Sequence, residues 1–218
     1  MYSNIHVIRN RIFSSNTYLL QSNNNNCIII DPGLDSKSIE FAINKFSLIP
    51  IGIISTHGHF DHIASVSYFK KKFSIPFFLH EKEIKIVQSA NFYMKIMKID
   101  YQIEIPFPDI ILKGFTEKVS VGEFEFDIIN FPGHSNGSCI IKHKKCLFSG
   151  DIIYKNGIFL NNFPGEDKVK LKESIKALFD LFADDNGVMV FPGHGDSALL
   201  ESIKKNNSAL LDFINSEE

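Results

Sequence analysis

A chain of 218 residues, 44% hydrophobic and 22% charged, is long enough to bury a sizeable core, and its composition excludes collagen, coiled coil and disorder. Its 23 Lys+Arg against 25 Asp+Glu leave a formal charge of −2; the two signs are interspersed, so no basic stripe invites nucleic acid. Residues 1–13 carry Arg9 and Arg11 with no long apolar run behind them, which resembles neither a secretory leader nor a membrane span, so a cytoplasmic chain with no membrane partner is expected.

Asn16 to Gln21 and Cys27 to Ile30 are short apolar-rich runs joined by Asn23 to Asn26, the pattern of a β-hairpin with a polar turn. Asp35 or Ser36 is placed to cap a helix through about Phe46, with Ile39, Phe41, Ala42, Ile43 and Phe46 at near-helical period. Ile51 to Ser55 reads as a buried strand, His62 to Phe73 as a helix, Phe77 to Leu79 as a strand and Glu81 to about Lys98 as a helix, an alternation that predicts a sheet covered by helices. Pro106, Pro108 and Gly114 mark Asp100 to Gly114 as a loop that overhangs the fold or links its two halves.

Lys118 to Val121, Glu123 to Asn130, Ser138 to Lys142 and Cys146 to Phe148 then read as strands of a meander, followed by a helix near Lys168 to Ala183, a strand Val188 to Phe191 and helical material from Ala198 onward. Phe131-Pro132-Gly133-His134 recurs as Phe191-Pro192-Gly193-His194, which suggests two similar halves. No linker divides the chain, so one domain over residues 1–218 is expected: an α/β fold, most economically a four-layer α/β/β/α sandwich. The three cysteines, Cys27, Cys139 and Cys146, stand singly with no Cys-x-x-Cys spacing and read as buried thiols.

The chemistry lies at strand ends. Ile51 to Ser55 runs into Thr56-His57-Gly58-His59-Phe60-Asp61-His62; Phe126 to Asn130 leads to His134; Cys146 to Phe148 leads to Asp151; Val188 to Phe191 leads to His194. If those four strands lie side by side and end at one edge, seven side chains converge on one rim. Alternate residues of an extended segment share a face, so His57 and His59 can grip one metal while Asp61 and His62, opening the next helix, face a second. A lone loop histidine is usually solvated or structural, which is the reading for His6, His80 and His143; seven such residues in strand-end settings require a common cause. Imidazole and carboxylate without thiolate suit Zn, Fe or Mn.

These residues resemble the metallo-β-lactamase-fold hydrolases, whose signature is His-x-His-x-Asp-His followed by isolated His, Asp and His. Asp31-Pro32-Gly33, Pro132-Gly133-His134, Ser149-Gly150-Asp151 and Pro192-Gly193-His194 stand where that pattern places them. The chain is most similar to the short, single-domain, glyoxalase II-like branch. The resemblance implies the same four-layer sandwich and two divalent ions, zinc by first expectation with iron or manganese as alternatives. His57, His59 and His134 hold one ion, Asp61, His62 and His194 the other, and Asp151 bridges them. It further implies Asp61 and Asp151 as the catalytic carboxylates, a hydroxide generated between the metals near pH ~7, and hydrolysis of a small thioester such as a hydroxyacylglutathione.

Two departures bear on the substrate. Only about 24 residues follow His194, too few for the helical domain that supplies glutathione-binding cations in full-length glyoxalase II. Relatives in this branch commonly read Gly-Arg-x-Asp-x-Pro where this chain has Phe159-Leu160-Asn161-Asn162-Phe163-Pro164, so Leu160 and Asn162 replace a cation and a carboxylate. A mononuclear iron persulfide dioxygenase using His57, His134 and Asp151 is the competing enzyme class, a lactone or ester hydrolase shares the leading chemistry, and a binding protein that has lost turnover is the non-catalytic alternative. A secreted β-lactamase would want an export signal, and an RNA-processing nuclease a basic surface. Neither the substrate nor the oligomeric state is encoded in these motifs.

Overall fold

A computed structural model describes residues 4–160, 163 and 165–216. Asn161, Asn162 and Pro164, part of the departure noted above, lie outside the described residues. The chain divides into two compact units, Met1–Lys113 with Ser120–Glu125 and Gly114–Val119 with Phe126–Glu218.

The first unit is built on the sheet β1 (Ile5–Arg9), β2 (Asn16–Gln21), β3 (Asn26–Ile30), β4 (Ile49–Ile54), β5 (Phe77–His80) and β6 (Ile110–Leu112), adjacent in that order. The first three strands are antiparallel, joined by residues 10–15 and 22–25, and β3 to β6 are parallel, so each later connection must cross over through helix. Those crossovers are α1 (Ser36–Lys45), then α2 (Phe60–Ile63) and α3 (Val66–Phe73), then a 3-10 turn at Glu81–Glu83 with α4 (Ile84–Gln88) and α5 (Ala90–Ile96). Asp35 caps α1 by accepting the Ser38 N–H at 3.2 Å, as its sequence position predicts. The core packs Ile29, Ile53, Phe77 and Leu79 of the strands against Ile39, Ile43, Val66, Phe69 and Met94 of the helices.

Three expectations change here. The helix predicted over His62 to Phe73 is two helices, because the Ser65 N–H donates to Pro32 O at 3.0 Å and its hydroxyl donates to Gly33 O, pulling the chain off the helical path. The helix predicted over Glu81 to Lys98 breaks at Ser89, whose hydroxyl donates back to Lys85 O at 3.0 Å, the competition with the helix ladder that serine offers. The predicted loop Asp100 to Gly114 contains β6: Asp109 exchanges backbone and side-chain hydrogen bonds with Phe77 at 2.9 Å and sets Ile110 to Leu112 beside β5.

The second sheet is β12 (Ala198–Leu199), β11 (Met189–Pro192), β10 (Cys146–Gly150), β9 (Cys139–His143), β8 (Phe124–Asn130) and β7 (Thr116–Val121), and all of it but residues 120–121 of β7 and 124–125 of β8 belongs to the second unit. Strands β8, β9 and β10 alternate in direction while β10 and β11 are parallel, so the crossover between the last two runs through α6 (Lys168–Leu181). α6 starts at Asp167, which accepts the Lys170 N–H at 3.1 Å, and buries Leu171, Ile175 and Leu178 on one face. With α7 (Leu200–Asn206) and α8 (Ser208–Asn215) it covers Ile129, Ile140, Leu147 and Val190. The helical run expected from Ala198 begins two residues late, since Ala198 and Leu199 extend the sheet instead. Both copies of the Phe-Pro-Gly-His repeat lie in this second unit, after β8 and within the end of β11, so the repeat marks equivalent strand ends of one sheet and not two similar halves. No helix among the described residues is long and apolar enough to cross a membrane.

Phe69 is fully buried against both sheet and helix neighbours, and Phe69→Ala is expected to cost about 3–5 kcal/mol in a denaturant melt. All three cysteines are free and buried, and burial pushes the Cys27 thiol up to about 12. Because the thiolate is the reactive form, iodoacetamide at pH 8 should leave Cys27 unlabelled in the native protein and label it on denaturation.

Candidate metal centre

In the first unit, β3 and β4 are parallel with Ile30 beside Ile54, so both strands end at the same edge. Beyond β4 the chain runs through residues 55–59 into α2, and this stretch gathers His57, His59, Asp61 and His62. All four are buried. The His57 and His59 rings stand edge to face with centroids 4.7 Å apart, and His57 and His62 are 4.3 Å apart. His62 Nε2 faces Asp61 Oδ2 at 3.5 Å.

Directly beyond β3 stands Asp31, and here the structure supplies a role that the sequence pattern left unassigned. Asp31 adopts a left-handed backbone, φ 51°, which Asp tolerates better than most residues. Its Oδ1 accepts the Thr56 N–H at 2.7 Å, and its Oδ2 accepts the Thr56 hydroxyl at 2.7 Å and faces His62 Nδ1 at 3.2 Å. A carboxylate has no proton to give, so His62 Nδ1 donates. Thr56 has its hydroxyl proton on Asp31, so its oxygen accepts from His57 Nδ1 at 3.0 Å. One buried carboxylate thereby fixes two imidazoles in the tautomer that leaves Nε2 as the electron-pair donor. Asp31, His57 and His62 offer donor atoms within 4.8 Å of one another, but the Asp31 oxygens are already engaged by these bonds, which makes it the support and not the ligand. Asp31 was visible in sequence as part of Asp31-Pro32-Gly33; what sequence could not show is that its carboxylate reaches Thr56 and His62.

In the second unit β8, β10 and β11 point the same way, since β9 is antiparallel to both β8 and β10. Their ends carry His134, Asp151 and His194 to one edge. Asp151 Oδ2 lies 3.6 Å from His134 Nε2 and 3.4 Å from His194 Nε2. The Gly193 N–H donates to Gly150 O at 2.7 Å and locks the last two strand ends together. His134 is placed by a close approach: a Cβ on Gly133, whose φ is +138°, would collide with the Leu171 backbone, so only glycine fits. The expectation that the four ligand-bearing strands lie side by side is therefore corrected. β4 belongs to the first unit's sheet, the other three to the second's, and β9 separates β8 from β10.

The fit to a metal rests on these separations. Three imidazole-to-carboxylate distances fall at 3.4–3.6 Å, beyond hydrogen-bond range. They match the roughly 3.3–3.4 Å between neighbouring donors of a tetrahedral ion bound at about 2.0–2.1 Å. The buried polar residues also include four carboxylates, Asp31, Asp61, Glu83 and Asp151, and no lysine or arginine among the described residues. Interior carboxylates clustered with imidazoles are the setting in which a divalent cation is accepted.

Residues 10–194 match the family described as the metallo-beta-lactamase superfamily. The chain belongs to that superfamily. Among its relatives, hydroxyacylglutathione hydrolase GloC of Haemophilus influenzae is 28% identical, the alignment covering 98% of this chain and 99% of GloC. The BLEG-1 B3 metallo-β-lactamase structure superposes with a TM-score of 0.85 at 28% identity, over 94% of this chain and 99% of that one. TTHA1623 in a di-iron-bound form gives a TM-score of 0.81 at 25% identity, over 93% and 98%. The expected α/β class and metallo-β-lactamase fold are thus established, and with them membership of a metallo-hydrolase superfamily whose His and Asp groups can bind metal ions.

Removing a partner that fixes a ligand's tautomer typically costs about 10–100-fold in metal affinity. Asp31→Ala should therefore weaken Zn2+ binding by that factor in competition with a chromophoric chelator; unchanged affinity would refute the support role.

Proposed function

We propose that the chain is a binuclear metal-dependent hydrolase of small thioesters, glyoxalase II-like, acting in the cytoplasm on a small molecule, with residues 1–218 working as one functional domain. The observation that carries the metal assignment is the set of three Nε2-to-Oδ2 separations at 3.4–3.6 Å. The thioester assignment is supported by the near full-length likeness to GloC, a hydroxyacylglutathione hydrolase. In this reading His57, His59 and His134 would hold one ion, Asp61, His62 and His194 would hold the second, and Asp151 would serve both. Zinc suits the imidazole and carboxylate donors; the di-iron form of TTHA1623 keeps iron in contention.

Divalent ions held there supply Lewis acidity, lowering the pKa of water toward about 7 and polarising an acyl carbonyl. The chain's own residues do the rest. Asp31 and Thr56 hold the His57 and His62 rings in the donor tautomer. The Ser15 hydroxyl donates to the Asp61 backbone carbonyl at 2.8 Å, the Asp61 Oδ2 stands 3.5 Å from His62 Nε2, and at that oxygen the carboxylate can move a proton. Asp151 stands between the His134 and His194 imidazoles, its Oδ2 at 3.6 and 3.4 Å from their Nε2 atoms.

Elemental analysis of the purified protein, paired with S-lactoylglutathione, a lactone, nitrocefin and glutathione persulfide, tests this. Two metal equivalents and hydrolysis of the thioester are expected, with Asp61→Asn lowering kcat about 10²–10⁴-fold. Iron with oxygen uptake on the persulfide would replace the hydrolase by a dioxygenase, and cleavage of nitrocefin alone would move the substrate class to β-lactams.

A further inference from the structure

Glu83 is fully buried, the only glutamate so placed among the described residues. Burying a carboxylate is costly unless its oxygens are hydrogen-bonded, and its location shows what it serves. It closes the 3-10 turn after β5 and leads into α4, on an element distinct from those carrying the ligands. Its Oε2 accepts the Gly58 N–H at 2.8 Å. Gly58 is the residue between His57 and His59.

The Gly58 backbone is also wedged against that element. A Cβ at Gly58 would lie 2.9 Å from Val87 Cγ2, 3.0 Å from Glu83 O and 3.2 Å from Glu83 Oε2, and Val87 is one helical turn beyond Glu83 on α4. The ligand segment is therefore clamped at two alternate amides by two buried carboxylates from different places in the chain. Asp31 takes the Thr56 N–H at 2.7 Å and Glu83 takes the Gly58 N–H. The hydrogen bonds of the Asp31 carboxylate end on Thr56 and His62, and through Thr56 they reach the His57 ring. His59 is not among the partners of the Asp31 carboxylate, and the Gly58 peptide joins it to His57.

We propose that Glu83 is a positioning residue for the metal centre: by fixing the Gly58 amide it sets the direction of the His59 side chain, and so governs the affinity of the ion that His57 and His59 share. This rests on the binuclear reading above. The working element is the reach of the acceptor to the Gly58 N–H and not the negative charge. Three substitutions separate those two. Glu83→Gln keeps an acceptor oxygen at the same reach and removes the charge; Glu83→Asp keeps the charge and withdraws the acceptor by one methylene; Glu83→Met keeps the volume and loses both.

The test is Zn2+ titration of the metal-free protein against a chelator, resolving two equivalents. The visible spectrum of the Co2+ form and the melting temperature of the metal-free form are recorded beside it. Glu83→Gln should hold both equivalents within about threefold of wild type. Glu83→Asp should lose affinity for one equivalent only, and Glu83→Met about 10–100-fold for that same equivalent, with a shifted Co2+ spectrum. The inverse order, Asp near wild type and Gln weakened, would show that charge and not placement matters. Equal loss of both equivalents in step with a lower metal-free melting temperature would show a merely structural residue. Either result overturns the proposal, as does wild-type affinity in all three variants. Should Glu83→Met fail to fold, the Gln and Asp pair still decides the order. If wild-type protein binds no Zn2+, the binuclear reading itself fails and this proposal with it, whereas two tight equivalents with no ranking among variants removes only the role of Glu83.

Discussion

The hydrogen bonds of the Asp31 carboxylate are the constraint on which the first unit depends. A carboxylate taken out of water must find donors for its lone pairs, and at Asp31 they come from one place, the segment just beyond β4. The register that pairs Ile30 with Ile54 brings the ends of β3 and β4 level, and the Asp31 N–H adds a last bond to Ile54 O at 3.2 Å. Its left-handed backbone then turns the chain away while the Thr17 hydroxyl donates to its carbonyl at 2.7 Å. One residue ends a ladder, turns the chain and orients two imidazoles, so any shift of the parallel register would dismantle the ligand geometry before it exposed the core.

The second unit reaches a similar result by different means. Its ligands are fixed mainly by close backbone packing: Gly133 against Leu171, the Asp167 N–H on Gly133 O at 2.7 Å, and the Gly193 N–H on Gly150 O. The start of α6 thus doubles as the wall that sets His134. Ser135 and Ser138, hydrogen-bonded to each other and to the backbone around them, tie the turn beyond it. Buried charge is specific but costly, and close packing is cheap but tolerates no added atom. Each unit leans on one of them.

This difference explains what could be read from the sequence. The strand and helix pattern was legible wherever a period or a cap was present, as at Asp35, and the seven metal-binding residue types were legible because they come directly after apolar runs. Short elements escaped. β6 and β12 have three and two residues, too few to show alternation, and both exist because neighbouring strands accept them. The helix breaks at Ser65 and Ser89 are invisible as well, since a serine inside an apolar stripe looks tolerable until its hydroxyl partner is known. The strand order failed for a related reason: a strand end announces a ligand but not the sheet it belongs to.

The supporting carboxylates were the least legible of all. Asp31 and Glu83 lie 25 residues from the amides they accept, at Thr56 and Gly58 respectively, and nothing local distinguishes Glu83 from Glu81 two residues earlier, which is exposed. The distinction is one of burial, and burial is a property of the folded chain. A ligand motif therefore specifies which atoms can meet a metal, while its accuracy is delegated to distant charges whose only local trace is an acidic residue at a strand end. For His-x-His-x-Asp-His this has a physical corollary. Thr56 and Gly58, on either side of His57, present their amides to buried acceptors, and a Cβ at 58 would press on Val87 and Glu83, so the positions before and between the histidines carry constraints of their own.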